Sequence, residues 1–149
     1  ERLERLEKDR QVNLMCFAIP NNSFDLIVQN LGNQAISVYM HRVLMAYSKY
    51  FNAKYKKRGH VFAGPFRAKH IETNPELLFT STFIHKKPES TDKNNSYAKY
   101  KFSSFQDYVV QNRWGNLLKN KLIIEQYKNP NDYKNFVETN KTSELGELF

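Results

Sequence analysis

Residues 11–29, QVNLMCFAIPNNSFDLIVQ, consist of two apolar runs on either side of a short polar turn. Each run has the length and the apolar content of a strand, and the PNNS sequence between them is typical of a turn. Two strands joined by so short a connection pair in antiparallel fashion, so this stretch predicts a β-hairpin. Cys16, the only cysteine, lies in the first run. We therefore predict a buried, free thiol.

The chain around the hairpin has a mainly helical pattern. Apolar residues recur at helical intervals from residue 34 to about 55, and Asn74 before Pro75 is a typical helix start. The stretch between these helices, VFAGPFRAKHIE at residues 61–72, predicts a strand at a sheet edge, because its proline cannot donate a ladder hydrogen bond. Other predicted segments are a helix at residues 1–10, a helix end near Pro88, a polar loop at 89–99 and short helices between 102 and 138.

The composition is that of one ordinary soluble domain. Of the 149 residues, 40% are hydrophobic and 26% are charged. We expect an α+β domain at residues 1–110 and a helical C-terminal extension with a loose tail at residues 111–149. The sequence contains no run of about 18 apolar residues, and its first residues do not resemble a signal peptide. We therefore expect no membrane partner and a cytoplasmic location.

Positive charge is concentrated in one window. Between residues 26 and 71 there is no Asp or Glu but there are eight Lys and Arg residues, whereas 15 basic and 15 acidic residues balance outside it. Such a block favours a polyanion, most often nucleic acid, as the partner. Tyr50 and Tyr55 alternate with lysines there, as in sites that stack single-stranded bases. The basic residues are Arg42, Lys49, Lys54, Lys56, Lys57, Arg58, Arg67 and Lys69.

Four stretches along the chain match the motifs of one protein family. They are IPNNSFDLIV (19–28), the segment from Val43 to Glu72 that contains RGHVFAGPFRAKHIE, LLFTSTFIHKKPE (77–89) and YKFSSFQDYV (100–109). In order and spacing they resemble the MPNH-x-H turn, the long helix with its G-H-L-W-Q-G-R-F strand, the tyrosine helix and the W-S-S-Y segment of the REP-associated tyrosine transposases. These transposases are small, single-tyrosine members of the HUH superfamily.

The resemblance implies a ferredoxin-like antiparallel sheet with helices packed on it, and single-stranded or hairpin DNA as the partner. The first strand of the family pattern has no counterpart here. This implies an open edge on the strand at residues 24–29, covered by further residues upstream of the given sequence, by a second copy of the chain or by another partner. The family cleaves DNA through a phosphotyrosine linkage, with Mg²⁺ or Mn²⁺ held by two histidines and a polar side chain. His60 matches the family's G-H pair, which implies a position near the DNA.

The positions that this catalysis needs are occupied by unsuitable residues. Phe83 stands at the position of the nucleophilic tyrosine and has no hydroxyl, and Lys87 stands at that of the polar metal ligand. The two turn histidines correspond to Asn22 and Phe24 or, with one inserted residue, to Ser23 and Asp25. We therefore expect no catalytic residue, no metal site and no cofactor.

The remaining histidines and tyrosines offer poor replacements. None of the four histidines is two residues from another, and their spacing matches no metal motif. His85 follows Phe83 by two residues and points to a different helix face, which makes it a poor substitute base. Tyr97 and Tyr100, in the loop after that helix, are alternative nucleophiles that would lack an activating cation. The other three histidines are His41, His60 and His70.

Three functions stay open from the sequence. The first is a catalytically inactive relative of the transposases that binds single-stranded or hairpin DNA through the basic helix and loop. The second is an active transposase whose nucleophile and ligands lie at other positions or come from a partner chain. The third is a structural or RNA-associated interaction protein whose affinity for DNA reflects charge alone. The sequence does not distinguish DNA from RNA and favours the absence of catalysis.

Overall fold

The computed structural model describes residues 2–141, and these form two compact units. The first unit comprises the residues up to Val12 together with Asn30–His70, and the second comprises Asn13–Gln29 together with the residues from Ile71 onward. In sequence, the first unit contains twelve basic and four acidic residues, and the second contains eleven of each. The net charge of +8 therefore belongs entirely to the first unit. The division at residue 110 stays a prediction.

The predicted hairpin is confirmed as an antiparallel sheet of two strands, β1 (Val12–Ala18) and β2 (Asp25–Asn30). In the turn between them, the Ser23 amide donates to the Pro20 carbonyl at 3.4 Å. Cys16 is buried and free, as predicted, and burial raises the pKa of its thiol to about 12. A thiol with such a pKa stays protonated at neutral pH, so Cys16 is a packing residue.

The second unit contains the larger core, built from β1, β2 and the helices that follow them. Its helices are α3 (Asn74–Thr91), α4 (Phe105–Val109), a 3₁₀ turn (Gly115–Leu117), α5 (Lys121–Ile124) and α6 (Pro130–Thr139). Backbone hydrogen bonds also join β1 to the residues that precede α4 and α5, because the Ser104 amide donates to Phe17 O at 2.9 Å and the Lys119 amide to Leu14 O at 2.7 Å. The fully buried Tyr133 and Val137 of α6 fill the centre of this core.

Helix α3 differs from its predicted bounds at both ends. Its N-cap is Thr73, whose Oγ1 accepts a hydrogen bond from the Glu76 amide at 3.3 Å, so Asn74 is the first helical residue. The helix continues beyond Pro88 to Thr91. Pro88 is fully buried in the core, and the Thr91 hydroxyl donates to Pro88 O at 3.0 Å, which satisfies a carbonyl near the helix end.

The first unit consists of α1 (Arg2–Lys8), α2 (Ala35–Tyr55) and an extended segment. The strand predicted at residues 61–72 is wrong, because this segment is bends and irregular chain. Gly64 and Pro65 weaken strand formation, and the two described strands, β1 and β2, pair with each other. The predicted long helix is confirmed, since α2 begins one residue after Gln34 and ends at Tyr55.

The molecule belongs to the α+β class, and its described residues form a sheet of two strands. Among residues 2–141 the sheet contains no strand besides β1 and β2, and the open edge stays a prediction. No helix in this part of the chain is long and apolar enough to cross a bilayer.

Candidate nucleic-acid interface

Helix α2 presents most of its surface to solvent. Only Ala35 and Met40 are buried, both in its first half, although apolar residues continue at helical spacing to the C-terminus. The predicted nucleic-acid-binding residues, which we call the basic surface, are all exposed. They are Arg42, Lys49, Lys54, Lys56, Lys57, Arg58, His60, Arg67 and Lys69. The structure places every one of them in the first unit.

The turn that follows α2 is built by one side chain and one glycine. Asn52 accepts at its carbonyl a hydrogen bond from the Lys57 amide (2.9 Å), and its side-chain Nδ2 donates to Gly59 O (3.1 Å). Gly59 has φ of 93°, a conformation that favours glycine. Lys56 caps the helix with φ of 52°, so the third member of the seven-residue series Arg42, Lys49 and Lys56 lies just beyond the helix.

This turn leaves a shallow groove of about 880 Å³ between α2 and residues 59–64. Lys49 and Asn52 line it from the helix, and His60 and Phe62 line it from the extended segment. The groove combines a cation, an imidazole and an aromatic ring, which are the groups that contact phosphate and base faces.

A row of aromatic side chains follows the same half of α2. We call Tyr47, Tyr50, Phe51, Tyr55 and Phe62 the aromatic row. The ring of Tyr47 contacts those of Tyr50 (6.5 Å between centroids), Phe51 (6.1 Å) and Phe62 (5.7 Å), and Phe51 contacts Tyr55 at 4.7 Å. Lysines accompany the row, since Lys54 Nζ lies 5.6 Å from the Tyr50 centroid and 5.3 Å from that of Tyr55.

In the second unit, three residues at the positions matched to the catalytic centre come together. Lys87 Nζ lies 2.5 Å from Asp25 Oδ2 and 5.9 Å from the centroid of the Phe83 ring. We call Asp25, Phe83 and Lys87 the turn–helix cluster. The Asp25–Lys87 contact is ionic, because Oδ2 accepts no hydrogen bond of regular geometry. The cluster joins the first residue of β2 to the middle of α3.

The three residues of the turn–helix cluster include no nucleophilic hydroxyl and no imidazole. Phe83 offers no nucleophile, and the Lys87 ammonium places a positive charge beside the only carboxylate of the cluster. Asn22 is exposed in the turn, and Phe24 is half-buried before β2. Within residues 2–141 no three His, Cys, Asp or Glu side chains gather where they could hold a metal ion.

His85 belongs to a buried network that sequence reasoning missed. Its Nδ1 lies 2.7 Å from Tyr133 Oη, and its Nε2 lies 2.7 Å from Ser104 Oγ and 3.3 Å from Cys16 Sγ. Burial lowers the pKa of His85 to about 3, against a smaller opposing effect of Asp107. The imidazole is therefore neutral at physiological pH, and its complete burial makes it a core residue.

The hydrogen-bond directions in this network follow from its outer members. Ser81 donates its proton to Leu78 O (2.7 Å), so it accepts the bond from Tyr133 Oη (3.0 Å). Tyr133 in turn accepts from His85, which places the imidazole proton on Nδ1. Nε2 then accepts from the neighbouring hydroxyl or thiol. In the sequence, only the FSSF string at residues 102–105, which contains Ser104, pointed toward this network.

The two alternative nucleophiles have structural contacts of their own. Tyr100 donates its hydroxyl proton to Ile19 O at 2.8 Å. The Tyr97 ring packs edge-on against Phe105 at 5.2 Å, and burial raises the pKa of its hydroxyl. Neither hydroxyl has a described cation site to activate a phosphate.

Comparisons of this chain with protein-family models, with curated proteins and with solved structures give no significant match. The resemblance to the REP-associated tyrosine transposases therefore rests on the quoted sequence stretches and on no independent alignment.

Proposed function

We propose that this protein is a DNA-binding relative of the REP-associated tyrosine transposases that does not cleave DNA. It binds single-stranded or hairpin DNA through the basic surface. The observation that carries the proposal is the separation of charge, because the whole net charge of +8 belongs to the unit that exposes nine basic side chains along α2 and the following segment. Such a surface supplies the phosphate contacts that dominate nucleic-acid affinity.

The absence of cleavage is supported by the turn–helix cluster. Asp25 and Lys87, which match the family's turn and ligand positions, form an ion pair although they are far apart in sequence. Lys87 also lies 5.9 Å from the ring centroid of Phe83, which matches the nucleophile position one helical turn earlier. An ammonium in this position repels the divalent cation that phosphoryl transfer needs. The ferredoxin-like arrangement, with β1 and β2 as its hairpin, is part of the proposal, as are a second copy or partner at the open edge of β2 and a cytoplasmic location.

The test compares the salt dependence of DNA binding in matched variants. The first variant carries Lys49→Ala, Lys56→Ala and Arg58→Ala, and the control carries Lys93→Ala, Lys99→Ala and Lys121→Ala, which are exposed lysines of the second unit. Each lost phosphate contact lowers the slope of log affinity against log salt by about 0.7 on a single strand. We expect a slope lower by about 2 in the first variant and unchanged in the control.

The probes are a hairpin DNA, a duplex DNA and an RNA of the same length, measured by fluorescence anisotropy. Equal slopes in the two variants would contradict the assignment of the basic surface. A clear preference for RNA would favour the RNA-associated alternative. Incubation with hairpin DNA and Mg²⁺ or Mn²⁺ should yield no covalent adduct, and an adduct abolished by a chelator would establish an active transposase instead.

A further inference from the structure

The aromatic row exposes large ring surfaces that the core does not use. Tyr50 and Tyr55 are 58% and 52% exposed, although each side chain is large enough to contribute to a core. They lie five positions apart at the C-terminal end of α2, where the helix has no buried residue. Exposed apolar groups gathered in this way mark binding surfaces in soluble proteins.

Lys54 connects the two exposed rings. Its ammonium lies within 6 Å of both centroids, in the range of attraction to the π-electrons, and it also interacts with the hydroxyls of Tyr50 and Tyr55. Lys57 has the same relation to Phe51, with Nζ at 5.8 Å from the ring centroid. Rings and cations thus alternate along the end of the helix, which is the arrangement of single-strand binding sites.

We propose that Tyr50 and Tyr55 are a stacking site for unpaired bases of a single-stranded nucleic acid, with Lys54 as the phosphate contact between them. The proposal rests on the proposed function of the basic surface and adds the way in which bases are held. A base that stacks on a ring displaces the Lys54 ammonium from it. The ammonium is then free to pair with the phosphate of the same strand.

The relative strengths of the two contacts favour this exchange. A cation over an exposed ring contributes about 2- to 5-fold to an equilibrium constant, whereas a stacked base contributes about 5- to 150-fold. The occupant is a nucleic acid because the unit contains no acidic residue between 26 and 71, and cations surround both rings. A duplex hides its base faces within the stack, so the site distinguishes single strands from duplexes.

The test uses two fluorescent probes of equal length, an oligothymidine and an abasic strand with the same phosphates. The variant Tyr50→Ala/Tyr55→Ala should bind oligothymidine at least about 10-fold more weakly than the natural protein, with the abasic strand and the salt slope almost unaffected. The variant Tyr50→Phe/Tyr55→Phe keeps the rings and should retain the affinity. Phe102→Ala is the matched control, because Phe102 is an exposed ring of the second unit with Lys101 Nζ at 4.9 Å.

Equal affinity of the natural protein for the two probes would overturn the stacking site, as would an unchanged affinity in the alanine variant. Either result leaves the proposed function intact if the salt slope still falls in the Lys49, Lys56 and Arg58 variant. The proposed function fails separately if that slope does not change. Sedimentation of the same variants gives a further outcome, since a dimer lost in the alanine variant without a change in affinity would assign the rings to a protein interface and overturn the stacking site.

Discussion

Lys87 is the residue that most changes the chemistry of the turn–helix cluster. Its ammonium pairs with Asp25 and lies near the Phe83 ring, so a single side chain interacts with both neighbours. A half-buried carboxylate next to a cation is already neutralised and has little attraction left for a second, divalent cation. A hydroxyl added at position 83 alone would therefore not supply the electrostatic stabilisation that phosphoryl transfer needs.

We predict that Phe83→Tyr alone produces no cleavage of hairpin DNA in Mg²⁺ or Mn²⁺. The comparison protein carries Phe83→Tyr, Lys87→Asn, Asn22→His and Phe24→His, which removes the ammonium and supplies imidazole ligands. Loss of a catalytic cation costs orders of magnitude in rate, so only the combined variant has the groups for nicking. Denaturing gels of labelled hairpin DNA measure the outcome, and chelator-sensitive nicking by the single variant would contradict the prediction.

The buried His85 leads to a second prediction, which concerns how the free energy of unfolding depends on pH. The native state keeps its imidazole neutral down to about pH 3, whereas the unfolded chain takes up a proton below about pH 6.5. The unfolded state therefore binds more protons below pH 6.5, and the free energy of unfolding falls as the pH decreases. A single proton corresponds to about 1.4 kcal/mol per pH unit.

Urea denaturation between pH 7.5 and pH 5 measures this dependence in a range where carboxylates contribute little. The comparison variant is His85→Gln, which has no titrating group at this position. It should be less stable than the natural protein at pH 7.5 because the network with Tyr133 and Ser104 is disturbed. Its stability should nevertheless depend less on pH, and equal slopes in the two proteins would show that His85 is not neutral and buried.

At the scale of elements, the start of α3 is set by its cap. The Thr73 hydroxyl accepts from the Glu76 amide, and Glu76 Oε2 in turn accepts from the Glu72 amide at 3.0 Å. We predict that Thr73→Ala lowers the free energy of unfolding by about 1 kcal/mol, because one amide at the helix N-terminus loses its partner. Thr73→Ser keeps the hydroxyl and should match the natural protein. Equal unfolding free energies for the two variants would show that the cap contributes nothing.

Local patterns predicted the elements whose formation depends on neighbouring residues. Turn chemistry predicted the hairpin at residues 11–29, and helical spacing predicted the long helix α2. A proline in the first turn predicted the start of α3 to within one residue. The strand predicted at residues 61–72 did not form, because a strand needs a partner that its own sequence does not encode.

Contacts between distant residues could not be read from the sequence. The Cys16–His85 contact joins positions 69 residues apart, and no local pattern relates them. The turn–helix cluster was predictable only in part. The family resemblance pointed to Asp25, Phe83 and Lys87 as matched positions, but it did not predict the ion pair between Asp25 and Lys87. The exposure of the basic surface follows from the sequence, because exposure is the usual state of charged side chains, and its role in binding stays a prediction.

At the scale of the whole molecule, all excess charge lies in one unit and the other is neutral. Any polyanion in a cell competes for such a unit, whatever its sequence or shape. The fraction of the protein bound to one target then depends on two quantities. They are the ratio of the affinity for that target to the affinity for a competitor, and the number of competitors. Charge raises both affinities together and leaves their ratio unchanged. Selectivity must therefore come from uncharged contacts, and an abundance of unrelated polyanions would keep the unit occupied wherever those contacts are missing.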